Sequence, residues 1–396
     1  MRDLPSHVDA LVIGCGFGGI AATVRLTEAG RSVAVIEKAD DAGGTWQANT
    51  YPACACDVPS HLYSFSFAPN PDWTRVFGPQ PELYAYLRKV ADDFGVRERT
   101  WFGTEVTEAR WDGDAALWRV ETTGGSITAN VLVAATGGLS SPALPDVPGL
   151  DGFAGRSFHS ADWDHDHDFT GERVAVIGTG ASAIQFAPEV ARQAGHLTVF
   201  QRTAPWILPR RDRAISGVER ALFRRFPALQ RLARAGIYVL RETWILGFRN
   251  PRVMEGRPER IARRFIERQI PDPELRAKVT PTYRLGCKRV LLSNTWYRML
   301  RKPHVDLVTD RIVEVVAEGV VTIGTDGARQ THAVDTLLFG TGFNVTNPPI
   351  AHRVRGVGDR TLAERWAASG MTAYRGLTVS GFPNLFVLTG PNTGLG

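Results

Sequence analysis

Cysteine and methionine are scarce, four of each in 396 residues, and no long uninterrupted apolar run is present. Four cysteines without a Cys-x-x-Cys pair make neither a disulfide scaffold nor a thioredoxin-like redox couple. Cys54-Ala-Cys56 reads as two small buried residues, so no metal site is assigned. The most hydrophobic helical stretch, Gly236 to Phe248, is broken by Arg241 and Glu242, which argues against a membrane span, and no basic, apolar and small-residue leader opens the chain. The expected location is the cytoplasm. With 43% hydrophobic and 22% charged residues, the chain has the composition of a globular enzyme of two or three domains.

Charge is present but uneven. Arg210 to Lys302 holds 24 Lys and Arg against 8 Asp and Glu, a balance of +16, so with +5 overall the remainder carries -11. Such a block suits a polyanionic cofactor, nucleic acid or an anionic membrane surface, with solvated helical arginines as the simplest account. No nucleic-acid-binding motif accompanies it.

Val8 to Ile13 is an apolar run ending in Gly14-Cys15-Gly16-Phe17-Gly18-Gly19; a helical pattern follows to Ala29, then a strand, Ser32 to Ile36, with Glu37 at its end. This order predicts a βαβ dinucleotide-binding unit. Gly14 supplies the tight turn, Gly16 the approach of backbone to pyrophosphate, Gly19 the packing of helix on strand, and Glu37 a carboxylate for ribose hydroxyls. Pro81 to Phe94 reads as a helix, and Glu105 to Val120 as two alternating strands around the hairpin cue Asp112-Gly113-Asp114. A third short strand is expected after Gly124-Gly125, then a separate strand, Val131 to Ala135, running into Thr136-Gly137-Gly138.

The plan then repeats. Arg173 to Ile177 leads into Gly178-Thr179-Gly180-Ala181-Ser182-Ala183, a second phosphate loop with Ala183 at the helix-packing position, and Leu197 to Phe200 is the next strand. Gln201-Arg202-Thr203 follows it in place of an acid. A guanidinium at Arg202 accepts the 2'-phosphate that a carboxylate would repel, which selects NADPH over NADH. A charge-assisted bond of about 1.5 to 3 kcal/mol corresponds to roughly ten- to a hundredfold discrimination. Strands near Val305 to Val308, Ile312 to Val316, Val320 to Ile323 and Thr336 to Phe339 complete this half. A helical insertion, about 216–281, carries Leu222, Phe226, Leu229 and Leu232 on one face with arginines on the other, the pattern of a packed lid, with a peripheral membrane contact as the alternative.

Between the two halves lies Phe153-x-Gly155-x-x-x-His159-x-x-x-Trp163-Asp164. By spacing alone it is a Gly-kinked linker whose His packs or caps. Position for position, however, it resembles the fingerprint of the Baeyer-Villiger monooxygenases, flavin enzymes that insert one oxygen atom of O2 beside a ketone carbonyl. Flavin-containing N- and S-oxygenases are similar but usually carry Phe or Tyr where this chain has Trp163. A second stretch, Gly43-Gly44-Thr45-Trp46 through Tyr51-Pro52-Ala53 to Asp57, resembles the family's longer signature and departs only at Ala53, where the family has Gly or Met.

The resemblance implies an α/β fold of two Rossmann-like dinucleotide-binding domains, of three-layer ββα type with β-meanders, and a helical insertion in the second. The boundaries it suggests are 1–152 with 341–396 for FAD, a linker at 153–164, and 165–340 for NADPH. Three strand-to-Thr-Gly junctions, at Thr136-Gly137, Thr341-Gly342 and Thr389-Gly390, look like the crossings between domains. Gly44, Thr45, Trp46, Asp57 and Tyr63 would lie at FAD, and Gly178, Gly180, Ser182, Ala183, Arg202, Thr203, Lys288 and Arg289 at NADPH. Arg289 would be the central catalytic residue, its fixed charge in a site shielded from water stabilising the peroxide anion formed from O2 on reduced flavin, and Asp57 would orient it. His159 would serve the linker and domain motion. The other enzymatic reading is a heteroatom oxygenase, which needs no such arginine. The family continues into a helix where this sequence stops at Asn392-Thr393-Gly394-Leu395-Gly396, so a catalytically silent dinucleotide-binding protein is the reading of another class. A small-molecule ketone or heteroatom compound and O2 are the expected partners.

Overall fold

Apolar, β-branched runs become the buried strands of two sheets in the computed structural model, which describes residues 2–249 and 256–393. Residues up to Ala48, Pro81–Ser141 and those from Phe343 onward form one compact unit; Asn49–Gln80 and Pro142–Gly342 form the other. The chain therefore leaves the first unit a few residues after Thr136-Gly137 and re-enters it just after Thr341-Gly342, whereas Thr389-Gly390 lies inside it.

In the first unit the strand His7–Ile13 runs parallel to Val33–Ile36 on one side and to Gly125–Ala134 on the other. Leu11 and Val12 are wholly buried, as are Ala34 and Leu132, because a parallel sheet is covered on its two faces and its strands read as continuous apolar runs. The two strands expected around Gly125 and Val131 are one. Its first half pairs antiparallel with Leu117–Thr122 and its second half parallel with His7–Ile13 and Leu385–Val387, so backbone groups are bonded along its length and no break is required. The hairpin before it turns on Asp112, whose carboxylate accepts the amides of Asp114 and Ala115 at 3.1 and 3.0 Å.

The second unit holds five parallel strands in the spatial order Val305–Val308, His196–Phe200, Arg173–Ile177, Thr336–Phe339 and Arg156–His159, beside a three-stranded antiparallel meander. The stretch expected to be a linker is thus the edge strand of this sheet, paired with Thr336–Phe339. Gly155 admits it there: a Cβ at that position would sit 2.1 Å from the Asp335 carbonyl oxygen, which accepts the Arg156 amide. Asn49–Gln80, placed by its sequence position in the first unit, packs in the second. Its Ala55 peptide is held at each end by Gln185, and its Val76 amide donates to Arg213.

Among the described residues the insertion holds four helices, Gly217–Arg225, Pro227–Arg249, Arg257–Gln269 and Pro273–Val279. Ser216 and Asp272 cap two of them through side-chain oxygens, as expected of N-cap residues. The expected packed face is not packed. Leu222, Phe226, Leu229 and Leu232 are 44, 50, 43 and 69% exposed, because the chain breaks at Phe226 before Pro227 and polar side chains take the inward positions. No helix among the described residues is long and apolar enough to cross a membrane.

Candidate active site

The first phosphate loop is shaped by contacts that a side chain would destroy. Gly14 has φ +102° and a Cβ there would meet the Ala135 carbonyl oxygen at 2.6 Å; one on Gly19 would lie 1.8 Å from Gly14 O. Gly44, at φ +54°, stacks its backbone on Gly16, where a Cβ would come 2.9 Å from the Gly16 Cα, and the Gly43 amide donates to Cys15 O. The helix Phe17–Glu28 starts with neither a side-chain cap nor an acid in its first turn, so its amides and dipole remain available to a phosphate. Glu37 is 7% exposed; its carboxylate accepts the Cys15 and Ala39 amides at 2.6 and 2.8 Å, which aims it at the loop and leaves further lone pairs for hydroxyls.

Thr45 and Trp46 open a single helical turn, Thr45–Ala48, with Trp46 buried. Asp41, just upstream, was not anticipated. Its carboxylate accepts from the Tyr84 hydroxyl (2.6 Å), Arg97 (2.5 Å) and the Ala42 amide (2.7 Å) and pairs with Arg88. Burial opposes its charge, but these partners outweigh it and hold the carboxyl below its ordinary value of 3.8. A turn acid preceding Gly-Gly is easily taken for a solvated one; its partners come from a helix some 45 residues away in sequence, and only folding brings them in.

The second loop repeats this logic with one exchange. Gly178 has φ +109°, and a Cβ there would meet the Gly340 carbonyl oxygen at 2.4 Å. Ala183 carries a methyl where the first loop has Gly19, and the strand end accommodates it with a glycine: a Cβ on Gly340 would come 2.8 Å from that methyl. Nothing lies closer than 3.7 Å to a Cβ built on Gly180, so packing does not demand that glycine. The space it leaves open is what the close approach of a pyrophosphate would need. Ser182 stands at the N-cap of the helix Ala183–Val190 without a side-chain capping bond, and Thr179 Oγ1 reaches the Thr203 carbonyl at 3.4 Å. Arg202 is exposed and makes no ion pair among the described residues, and Lys288 sits 5.0 Å over the Tyr283 ring.

Asp57 and Arg289 meet within the second unit although 232 residues separate them. The pair is bidentate, Nη2 at 2.7 Å from Oδ1 and Nε at 3.1 Å from Oδ2. Burial works against the Arg289 charge, and the Asp57 carboxylate more than offsets it, raising the guanidinium pKa above its ordinary value. Its side chain is 48% exposed, more open than the shielded position expected for it. Two neighbours escaped the sequence reading. Arg210, hidden there within the basic block, donates to the Cys56 carbonyl at 3.1 Å and lies 5.1 Å over the Phe77 ring, and burial lowers its pKa. Gln185, on the helix after the second loop, accepts the Ala55 amide and donates to the Ala55 carbonyl, so the peptide two residues before Asp57 is clamped. Tyr63, further along the same loop, is half-buried, its amide bonded to Pro59 O. Cys54 and Cys56 are buried thiols, pushed up to about 11 and about 12 by burial.

Trp163 packs edge-on against Phe158 (5.3 Å) and at a tilt against Phe169 (6.0 Å) and Phe186 (5.2 Å), and Tyr51 meets Phe186 edge-on. Asp164 pairs with Arg156 at 2.6 Å. His159 is buried at the strand end with Nδ1 accepting the Ala161 amide. Phe186, on the helix after the second loop, thus lies between Trp163 of the fingerprint and Tyr51 of the segment that carries Asp57.

Two glycine cradles at helix N-termini, one with a carboxylate and one with an unpaired guanidinium, fit an FAD and an NADPH site. The class these features define is that of two-dinucleotide flavin oxidoreductases, and the model of the flavin-binding monooxygenase-like family matches residues 8–237. Among curated proteins, a Baeyer-Villiger monooxygenase of Streptomyces coelicolor is 52% identical over 98% of this chain and 74% of its own length. One of Pseudomonas aeruginosa is 48% identical over 98% and 73%. The crystal structure of cyclohexanone monooxygenase from Rhodococcus sp. Phi1 bound to NADP+ superposes with a TM-score of 0.83 at 35% identity, over 98% of this chain and 80% of that one. The chain belongs to the Baeyer-Villiger monooxygenase family.

Proposed function

We infer that this protein is an NADPH- and O2-dependent flavin monooxygenase that inserts oxygen beside a ketone carbonyl to give an ester or lactone. Bound FAD, reduced by NADPH, supplies the O2-activating chemistry. The first loop with Glu37 holds FAD, with Gly44, Thr45, Trp46 and Tyr63 as further contacts; the second loop with Arg202, Thr203 and Lys288 holds NADPH. Supply of NADPH and the buried free thiols suit the cytoplasm.

The bidentate Asp57–Arg289 pair carries the catalytic assignment. Attack on a ketone requires an anionic oxygen, so the group beside it must supply positive charge without surrendering a proton. Arg289 meets this condition because Asp57 raises its pKa further from neutrality. The carboxylate fixes the guanidinium plane through Nε and Nη2, and Nη1 makes no hydrogen bond among the described residues, which leaves its two protons for the anion. Gln185 and Arg210 hold the Ala55 and Cys56 peptides and thereby the position of Asp57.

Arg289→Ala, given NADPH and a cyclic ketone, is expected to retain bleaching of the flavin absorbance by NADPH while ester formation falls below detection. Ester formation at the parent rate overturns the assignment.

A further inference from the structure

The inserted helix Pro227–Arg249 is built inside out. Its inward face is polar: Gln230 is 4% exposed and donates to Asn70 O at 2.6 Å, and Arg234 donates through Nη1 to the carbonyls of His61, Leu62 and Ser64 at 2.8, 2.9 and 3.0 Å. Its outward face is apolar. Leu229, Leu232, Val239 and Leu240, at helical spacing, are 43, 69, 62 and 67% exposed, and Val218 and Leu222 of the preceding helix are 71 and 44% exposed. Rotation about the helix axis cannot hide this stripe, because it would strip Arg234 and Gln230 of their carbonyl partners. Nor can the preceding helix swing over it: Phe223 is seated edge-on against His61 at 4.9 Å, and Arg224 is paired with Asp72.

An exposed apolar stripe held out by a polar docking face marks an interaction surface. Its rim is cationic. Arg225 and Arg231 are exposed and make no ion pair among the described residues, within the block that carries +16. A second copy bringing the same face would oppose two such blocks. An anionic lipid surface satisfies the stripe and the rim together, with leucine and valine entering the headgroup boundary and arginines meeting the phosphates. We propose that the helix pair around Leu222 and Leu232 is a peripheral docking face for anionic membranes.

The test is flotation of the FAD-loaded full chain with vesicles of phosphatidylcholine and phosphatidylglycerol, against phosphatidylcholine alone. Binding is expected only with the anionic vesicles. The double variant Leu232→Glu/Val239→Glu should lose it while NADPH oxidation in vesicle-free buffer is unchanged, and Arg225→Gln or Arg231→Gln should each weaken it about fivefold. Failure to float, equal flotation with both vesicle types, or a concentration-dependent dimer that the double variant dissolves while no vesicle binding occurs would each overturn the proposal.

Discussion

A guanidinium has five donors in one plane, and what it does depends on how many are already committed. Arg289 spends two nitrogens on Asp57 and Arg234 spends one on backbone carbonyls, while Arg202 commits none among the described residues. That last condition suits a group waiting for a 2'-phosphate. Arg202→Ala is therefore expected to raise KM for NADPH roughly ten- to a hundredfold and leave that for NADH nearly unchanged, measured by steady-state oxidation of each. Ala53 is informative for the opposite reason. It departs from the family signature, and its φ of +61° lies in the left-handed region that disfavours a side chain. Relief of about 1–2 kcal/mol, less the roughly 0.5–1 kcal/mol that glycine's unfolded-state entropy costs, leaves Ala53→Gly more stable by about 0.5–1 kcal/mol in urea unfolding. The residue type was readable at each of these positions, and the family resemblance implied that Asp57 orients Arg289; spacing alone carried no sign of that pair, because its members lie 232 residues apart.

At the scale of elements, the loop that carries Gly43, Gly44, Thr45 and Trp46 is tied down from one side by Asp41. Tyr84 and Arg88, one turn apart on the helix Gln80–Asp93, and Arg97 beyond its end converge on that carboxylate. Asp41→Asn keeps the shape but removes the charge that these donors need, and a loss of about 2 kcal/mol in stability is expected together with weaker FAD retention on gel filtration. The sign of the pH effect follows from the lowered pKa. The stabilisation is complete above the unfolded value of 3.8 and disappears as pH falls through the lower native one. Elements with one dominant period were legible: the βαβ units, the hairpin at Asp112, the helix over Gln80–Asp93. The insertion was legible as helix and misleading as packing. Periodicity locates an apolar face without saying which way it turns, and here Gln230 and Arg234 found carbonyl partners that decided the orientation.

Across the molecule, the buried histidines set how it responds to acid. His61 and His159 belong to the second unit, and burial lowers the pKa of each below 6.5; for His159 the Gly342 backbone and Asp162 pull the other way without reversing it. A base with a lowered native pKa stabilises fully above 6.5, and that contribution is lost as pH falls toward the native values. The melting temperature should be flat between about pH 7 and 8 and decline below about pH 6.5, well before the Asp41 range, and His61→Asn should make the decline shallower. A decline confined below about pH 4 would assign acid sensitivity to carboxylates alone.

The amino-acid sequence by itself determined the two glycine loops, the acid after one and the arginine after the other, because steric exclusion and charge at a strand-to-helix turn are local matters that spacing records. It also carried the two signatures that mark the family. Tertiary structure alone decided that the stretch holding His159 is a strand, that Asn49–Gln80 packs with the second unit, and that the inserted helices turn their leucines outward. Each of these rests on hydrogen bonds between residues far apart in the chain, whose partners no local pattern names.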